Sequence, residues 1–283
     1  MKIIEQQLLG KHLKNDCEDG IVVTPDFVAV IDGSTSKTEH RFNPEMKNGR
    51  YCMMLIAEFI REMKSDISLD KFCREITAHV FKSYSSYRSD TSGRTVTLNQ
   101  SDLPDIIPPH ERLCASAIIY SNHHRQIWMI GDCQCMINGK LYENPKPYEE
   151  RLAALRAKAF DNCCRKKNNM VNGMAIVHDY ARDMILPELV QAMQNQNKTY
   201  AVIDGYPIFK NGIRNIEVGK GDCEIVLASD GYPFLMPTLE ESEKALQKQL
   251  ATDPFNIRTF KATKGLMEGN RSFDDRAYVR FCC

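Results

Sequence analysis

The sequence has no excess of either charge, no long apolar run and no apolar segment near its start. Its 37 Lys and Arg residues balance 37 Asp and Glu residues over 283 positions, so there is no global electrostatic attraction to nucleic acid or to an anionic membrane. No stretch approaches the roughly 20 apolar residues that a membrane helix requires. The opening segment, MKIIEQQLLGKH, lacks the apolar core of a signal peptide. We therefore expect a cytoplasmic protein whose partners include neither nucleic acid nor a membrane.

Cysteine patterns that bind zinc are also missing. The eleven cysteines include no C-x-x-C pair, and no matching His-x-x-x-His follows, which leaves little support for a structural zinc site. Most of the cysteines lie in apolar runs, where a thiol behaves as a small hydrophobic side chain. We expect reduced thiols, as in a cytoplasmic protein.

The composition is that of an ordinary globular domain. Apolar residues make up 43% and charged residues 26% of the chain, and a chain of this length can bury roughly 75% of its unfolded surface. No internal repeat or linker divides the sequence. It therefore predicts a single domain over residues 1–283, with a polar flap or loop insertion at about 84–113.

Hydrophobic periodicity predicts groups of strands next to groups of helices. A hairpin is predicted over 20–31, and helices are predicted over 44–64 and from about Leu69. Further strands are predicted over 114–121, 126–130, 134–138, 200–203, 224–228 and 277–281. The remaining helices are predicted over 149–167, over 175–196 with an interruption at Pro187, and over 239–250. Strand pairs beside helix pairs, joined mainly by hairpins, favour an antiparallel α+β layered domain.

Acidic residues stand at the ends of these predicted strands. The clusters are Glu18-Asp19, Asp32-Gly33, Gly131-Asp132, Ser229-Asp230-Gly231 and Asp274-Asp275. Carboxylates at strand ends can converge on one rim of a sheet, where they repel each other unless a cation lies among them. Oxygen ligands without nearby His or Cys favour Mg²⁺ or Mn²⁺. A single Asp-Gly is more simply a turn, as we assign at Asp204-Gly205, so the metal hypothesis depends on the clusters together.

The order of these motifs resembles that of the PP2C-type metal-dependent protein phosphatases, the PPM family. The resemblance spans residues 10–281 and is most specific in GDCEIVLASDG (221–231) and IWMIGDCQCMINGKL (127–141). It implies an α+β fold, a four-layer α-β-β-α sandwich of two antiparallel sheets flanked by helix pairs. It also implies hydrolysis of phosphoserine or phosphothreonine in a phosphorylated protein, by a water that bridges two metal ions.

The resemblance also assigns roles to individual residues. Asp32 would bridge two Mg²⁺ or Mn²⁺ ions, and Lys14 stands where the family usually has an arginine that grips the phosphate; these two are the predicted catalytic residues. The predicted metal ligands are Glu18, Asp32, the carbonyl of Gly33, Asp132, Asp230 and Asp274. Asp132 falls where some members bind a third ion. Asp19 and Asp275 are expected to support the ligands from a second layer.

Two departures from the family pattern keep other functions open. Lys14 lacks the two-pronged guanidinium that suits phosphate, and Ser34 stands where many eukaryotic members have a histidine that protonates the leaving group. General acid catalysis contributes ~10²–10⁴-fold, so its loss predicts a slower enzyme or reliance on metal-bound water. The alternatives are a non-catalytic PP2C-like binding or regulatory module and a phosphohydrolase that acts on a small phosphoester.

Overall fold

The computed structural model describes residues 1–13, 16–84, 107–165, 170–171 and 175–283. The predicted catalytic residue Lys14 lies outside the described residues, as do positions 85–106 of the predicted flap. Within the described ranges, no helix combines the length and the apolar character needed to cross a bilayer.

The described residues form twelve strands and five α-helices. The strands are β1 (Lys2–Leu9), β2 (Asp19–Val23), β3 (Phe27–Gly33), β4 (Ala115–Ser121), β5 (Gln126–Ile130), β6 (Gln134–Ile137), β7 (Lys140–Tyr142), β8 (Met170–Val171), β9 (Ala175–Ile176), β10 (Ile213–Glu217), β11 (Glu224–Ala228) and β12 (Arg276–Cys282). The helices are α1 (Asn48–Glu62), α2 (Leu69–Phe81), α3 (Glu149–Phe160), α4 (Tyr180–Met193) and α5 (Leu239–Thr252).

Ten of these strands form two five-stranded antiparallel sheets. The first sheet has the order β10-β5-β4-β3-β2 and the second has the order β1-β12-β11-β6-β7, while β8 and β9 form a small separate pair. The sheets pack face to face: Val30 and Ile118 of the first meet Leu227 and Val279 of the second in one buried cluster. The inner core of the molecule therefore lies between the two sheets.

Helices cover the outer faces of the sandwich. Ile56 of α1 and Phe72 of α2 pack with Trp128 on the outer face of the first sheet. Leu239, the first residue of α5, packs beside Tyr278 on the outer face of the second sheet. The predicted α+β, four-layer α-β-β-α sandwich is confirmed.

Strand β3 shows how this layering appears in the sequence. Ala29 and Ile31 face α1 and α2, whereas Val28 and Val30 face the second sheet, so the strand is buried on both sides. A strand in such a position requires a continuous apolar run rather than an alternating pattern. The run ends at Asp32, where the strand reaches the end of the sandwich.

The bounds of helices α3 and α4 differ from the prediction. Helix α3 ends at Phe160 and is followed by a π-helix over Asp161–Arg165, whereas α4 begins at Tyr180 and runs without interruption through Pro187. Pro187 is on an exposed side of α4, where water can satisfy the carbonyl that loses its hydrogen bond to the proline. Asp179 caps α4 by accepting a hydrogen bond from the backbone NH of Arg182 (2.9 Å).

The predicted strand over 200–203 was also wrong. This segment forms two isolated bridges, in which Ile203 pairs with Ala115 and Tyr200 pairs with Gln196. Ala115 already pairs with Gly33 of β3 on its other side, so the segment adds one pair of hydrogen bonds at the start of β4 and no regular strand.

Candidate active site

The antiparallel topology brings the acidic clusters to one end of the sandwich. In the first sheet, Asp19 at the start of β2 pairs with Asp32 at the end of β3, and Asp32 pairs with Ser116 at the start of β4. In the second sheet, Ala228 at the end of β11 pairs with Tyr278 near the start of β12. The residues that follow β11 and precede β12 are therefore neighbours as well.

These residues border a cavity of about 400 Å³. Its acidic lining comprises Asp32, Asp230, Asp274 and Asp275, together with Glu149, Asp179 and Asp183 near the start of α3 and α4. Its basic lining comprises Lys11, Lys37, Lys146, Arg182 and Lys264. Asp132 lines an adjoining cavity of about 210 Å³, which Asp230 and Asp274 also border.

Asp32 and Asp230 are carboxylates whose charge is compensated in part and from a distance, by Lys146 and Lys264 respectively. Among the described residues, neither side chain accepts a hydrogen bond or lies in an ion pair. Burial raises the pKa of Asp32 well above its usual range, and the carboxylates of Asp19 and Asp132 raise it further. Burial, followed by the carboxylate of Asp32, raises the pKa of Asp230 in the same way. The two groups therefore destabilise each other unless a cation or a proton joins them.

Asp204 shows the contrasting case of a buried aspartate with a structural role. Its carboxylate accepts hydrogen bonds from Arg112 (3.2 Å), Gln196 (2.9 Å), Asn197 (2.8 Å) and the backbone NH of Tyr206 (3.0 Å). A carboxylate that only supports the fold is thus surrounded by donors, which Asp32 and Asp230 are not.

Glu18 and Asp19 lie next to the cavity and each retains an unpaired oxygen. Thr35 donates a hydrogen bond to Glu18 Oε2 (2.6 Å), whereas Glu18 Oε1 and Asp19 Oδ2 are buried with no partner in the described part of the chain. Burial raises the pKa of Asp19 well above its usual range, although a hydrogen bond from Ser229 opposes this shift. Unpaired buried carboxylate oxygens are costly and indicate a missing cation or water.

Asp132 is held by two donors from the protein itself. Lys146 donates to its Oδ2 (2.5 Å) and Ser116 donates to its Oδ1 (2.5 Å). Although burial acts to raise it, these contacts lower the pKa of Asp132, with Lys146 as the main cause. Asp132 is therefore an ionised carboxylate whose charge a lysine already balances.

Asp274 is balanced in the same manner by two lysines. Lys264 forms an ion pair with its Oδ2, and Lys11 Nζ lies 3.3 Å from its Oδ1. Against the effect of burial, Lys264 and then Lys11 lower the pKa of Asp274 to about 2. Asp275 binds the backbone NH groups of Lys11 (2.7 Å) and Glu18 (3.0 Å), so it connects the two ends of the chain at the site.

Two glycines allow the close approach on which this geometry depends. Gly131 has a φ of +92°, and a Cβ at this position would lie 2.1 Å from Ser116 Oγ, the hydroxyl that binds Asp132. A Cβ on Gly33 would lie 2.3 Å from the carbonyl oxygen of Gly49. Neither position can take a side chain without moving a neighbour at the site.

Comparison with known proteins finds similarity only among solved structures. No family model matches the chain, and no curated protein does. The serine/threonine phosphatase PstP/Ppp of Mycobacterium tuberculosis is 11% identical, with a TM-score of 0.45 over 100% of this chain and 98% of its own; its catalytic domain has also been solved with two manganese ions. The PPM Ser-Thr phosphatase MsPP of Mycobacterium smegmatis, solved with cacodylate, is 12% identical, with a TM-score of 0.43 over 99% of this chain and 98% of its own. Stp1 of Staphylococcus aureus is 10% identical, with a TM-score of 0.44 over 99% of this chain and 94% of its own.

The chain folds as an α+β, four-layer sandwich built on two five-stranded antiparallel sheets. Similarity at this level concerns the path of the chain, and the function has to be argued from the side chains of the site.

Within this sandwich, the predicted ligands lie at or beside one cavity. Asp32, Gly33, Asp230, Asp274 and Asp275 line it, Asp132 lines the adjoining cavity, and Glu18 and Asp19 are buried next to it. In the part of the chain that the structure describes, no three His, Cys, Asp or Glu side chains are already arranged to hold a metal ion. The assignment of metal ligands stays a prediction. The lysines that form ion pairs with Asp132 and Asp274 were not predicted from the sequence.

Proposed function

We propose that this protein hydrolyses phosphoserine and phosphothreonine monoesters in phosphorylated proteins, with Mg²⁺ or Mn²⁺ bound at the acidic end of the sandwich. The observation that carries this proposal is the position of Asp32 and Asp230. They come from opposing sheets, line one cavity, and have no donor among the described residues to balance their charge.

The residues present fit a hard divalent cation at Asp32 and Asp230. The unpaired oxygens Glu18 Oε1 and Asp19 Oδ2 would add oxygen donors beside them, and carboxylate oxygens are the ligands that Mg²⁺ and Mn²⁺ prefer. The fit is weaker at Asp132 and Asp274, because lysine ammonium groups already occupy them. We therefore place the ion-binding capacity of the site chiefly at Asp32 and Asp230.

Such ions supply an acidified water as nucleophile and neutralise the phosphoryl oxygens. The chain itself supplies the surroundings in which this chemistry can occur. Lys11 lies within 4 Å of Glu18, Asp274 and Asp275 and so limits the repulsion among them. Ser34 also lines the cavity, but a serine hydroxyl is too weak an acid to protonate a leaving group as a histidine would, which supports the expectation of slow turnover.

A non-catalytic PP2C-like module is the second candidate, and the lysines favour it. Lys146 on Asp132 and Lys264 on Asp274 neutralise two predicted ligands without any metal. A site balanced in this way could bind a phosphorylated partner without hydrolysing it. Hydrolysis of a small phosphoester is tested by the same experiment, because the acidic residues do not determine the leaving group.

The deciding experiment measures hydrolysis of p-nitrophenyl phosphate and of a phosphothreonine peptide with Mn²⁺, with Mg²⁺ and with EDTA. We expect metal-dependent turnover that Asp230→Asn abolishes and that Asp222→Asn, at an exposed position before β11, leaves unchanged. Preference for the peptide would support protein substrates. Metal binding without turnover would favour the binding module, and absence of both would refute the assignment of the site.

We also propose that the protein works in the cytoplasm. All cysteines whose side chains the structure describes are free thiols, which supports a reducing environment such as the cytoplasm.

A further inference from the structure

The cavity lined by Asp32 and Asp230 is also lined by two basic side chains, those of Lys37 and Arg182. Lys37 Nζ donates to the backbone carbonyl of Thr35. Arg182 Nη1 donates to the carbonyl oxygen (2.6 Å) and the hydroxyl (3.3 Å) of Thr263. Among the described residues, no carboxylate forms an ion pair with either side chain. Both therefore have neutral partners and no counter-ion.

The acidic residues near Arg182 make direct contacts with other side chains. Asp183 accepts from His178 (2.6 Å). Asp179 lies 2.7 Å from Arg156 Nη2 and accepts from Arg156 Nε (2.9 Å). The charges of Asp179, Asp274 and Asp183 attract Arg182, without an ion pair in the described part of the chain, and burial outweighs them.

Two positive groups that face each other in a partly enclosed cavity are unfavourable. Burial, and then the nearby charges of Arg182 and Lys264, lower the pKa of Lys37 to about 7. The pKa of Arg182 is lowered as well, with burial as the main cause. A bound anion would relieve this cost, as a cation would for Asp32 and Asp230.

Arg182 is held in place without any ligand. Asp179 caps the first turn of α4 at the backbone NH of Arg182, and the fully buried Arg156 fixes Asp179. Arg156 Nη1 also donates to the carbonyl of Ala262 (3.1 Å), next to Thr263. Because Thr263 accepts from the Arg182 guanidinium and these neighbours are held in place, that guanidinium is preorganised. Preorganisation reduces the entropy lost when a ligand binds.

We propose that Lys37 and Arg182 form an anion-binding site that takes the phosphate group of a phosphomonoester. This inference rests on the proposed function in placing the phosphate next to Asp32 and Asp230, which line the same cavity. The guanidinium can donate to two phosphoryl oxygens and the ammonium to one. The site assigns phosphate binding to residues other than position 14.

The test is calorimetric titration of the full chain with inorganic phosphate and with a phosphothreonine peptide, in EDTA so that bound metal cannot contribute. Wild type is compared with Lys37→Met, Arg182→Gln and Arg182→Lys. Arg151→Gln is the matched control, since Arg151 is an exposed arginine on α3 that forms a salt bridge with the exposed Glu188. We expect each of the first two variants to weaken phosphate binding at least tenfold, Arg182→Lys to weaken it less, and the control to bind as wild type does.

Equal phosphate affinity in wild type, Lys37→Met and Arg182→Gln would overturn the proposal, as would no binding to wild type at tens of millimolar phosphate. If Arg182→Gln does not fold, Lys37→Met decides the question, because within the described ranges the Lys37 ammonium has one hydrogen bond, to the loop carbonyl of Thr35. Phosphate binding that depends on these residues in a protein without turnover would leave the site standing and refute the hydrolase. Turnover with a KM that neither variant changes would refute the site alone.

Discussion

Asp19 and Asp32 lie directly opposite each other across strands β2 and β3. Directly paired residues of antiparallel strands project from the same face of a sheet, and like charges in this position are unfavourable. The hydroxyl of Ser229 acts to lower the pKa of Asp19 and the charge of Lys146 acts to lower that of Asp32, but burial and the neighbouring carboxylates raise both. The fold therefore keeps an unfavourable pair where the proposed reaction needs negative charge.

The pair predicts that Asp32→Asn stabilises the metal-free protein. Removing one like charge should raise the free energy of unfolding by roughly 0.2–1 kcal/mol. Because the folded pKa of Asp32 is raised, wild type regains stability as the pH falls through that pKa, so the benefit of the variant should be larger at high pH than at low pH. Chemical denaturation in EDTA at two pH values measures this, with the exposed Asp66→Asn as control. A destabilised Asp32→Asn protein would contradict the argument.

Replacing Arg156 should lower the stability of the protein, in contrast to Asp32→Asn. Its side chain is fully buried and contacts Asp179 and the carbonyl groups of Phe255 and Ala262. Arg156→Met would remove the guanidinium that balances the charge of the buried Asp179 carboxylate, at a cost of about 3–5 kcal/mol. Arg151→Met, one turn away on the same helix and exposed, should cost no more than about 1 kcal/mol.

Urea denaturation of the two arginine variants checks this difference. Arg156→Lys should recover little of the loss, because an ammonium group cannot reach all three acceptors that the guanidinium joins. Similar stabilities for the Arg156 and Arg151 variants would mean that the buried network does not support the loop and helix at the site.

The boundaries of several elements could be predicted because their burial is simple. The strands predicted over 126–130 and 224–228 match β5 and β11. Both are short apolar runs buried between layers. Strands β1 and β10 could not be predicted, because they lie at sheet edges. In β1 the half-buried positions include the polar residues Glu5 and Gln7, so the sequence shows no alternation of apolar and polar residues there.

The acidic part of the site could be predicted and the basic part could not. Antiparallel pairing brings the ends of neighbouring strands together. Aspartates at those ends can therefore be predicted to lie close to each other from the sequence alone. Lys146 and Lys264 reach the cavity from loops that follow β7 and α5. Their contacts depend on how these loops pack, and no motif in the sequence encodes that.

Lys146 predicts how metal ions and stability are linked at Asp132. In Lys146→Met, the buried Asp132 carboxylate loses the lysine that balances its charge and keeps the hydroxyl of Ser116, so we expect a loss of about 3–5 kcal/mol in EDTA. The freed carboxylate can then bind a cation, so Mn²⁺ should restore part of this loss and add one weak binding event to a Mn²⁺ titration. Lys158→Met, at an exposed position on α3, should change neither quantity. An unchanged Mn²⁺ stoichiometry would mean that Asp132 does not bind an ion even when its lysine is removed.

Lys37 predicts that anion binding depends on pH. The pKa of its ammonium group is lowered to about 7, and the group attracts an anion only when it is protonated. Its contribution to binding is therefore present below pH 7 and is lost as the pH rises through that value. Sulfate is a suitable probe because it remains a dianion over this range, and its affinity should fall roughly tenfold between about pH 6 and about pH 8.5. Lys37→Arg keeps its charge throughout, so its sulfate affinity should stay nearly constant, whereas Lys37→Met should bind weakly at both values. If Lys37→Arg showed the same fall as wild type, the titrating group would be another residue of the cavity.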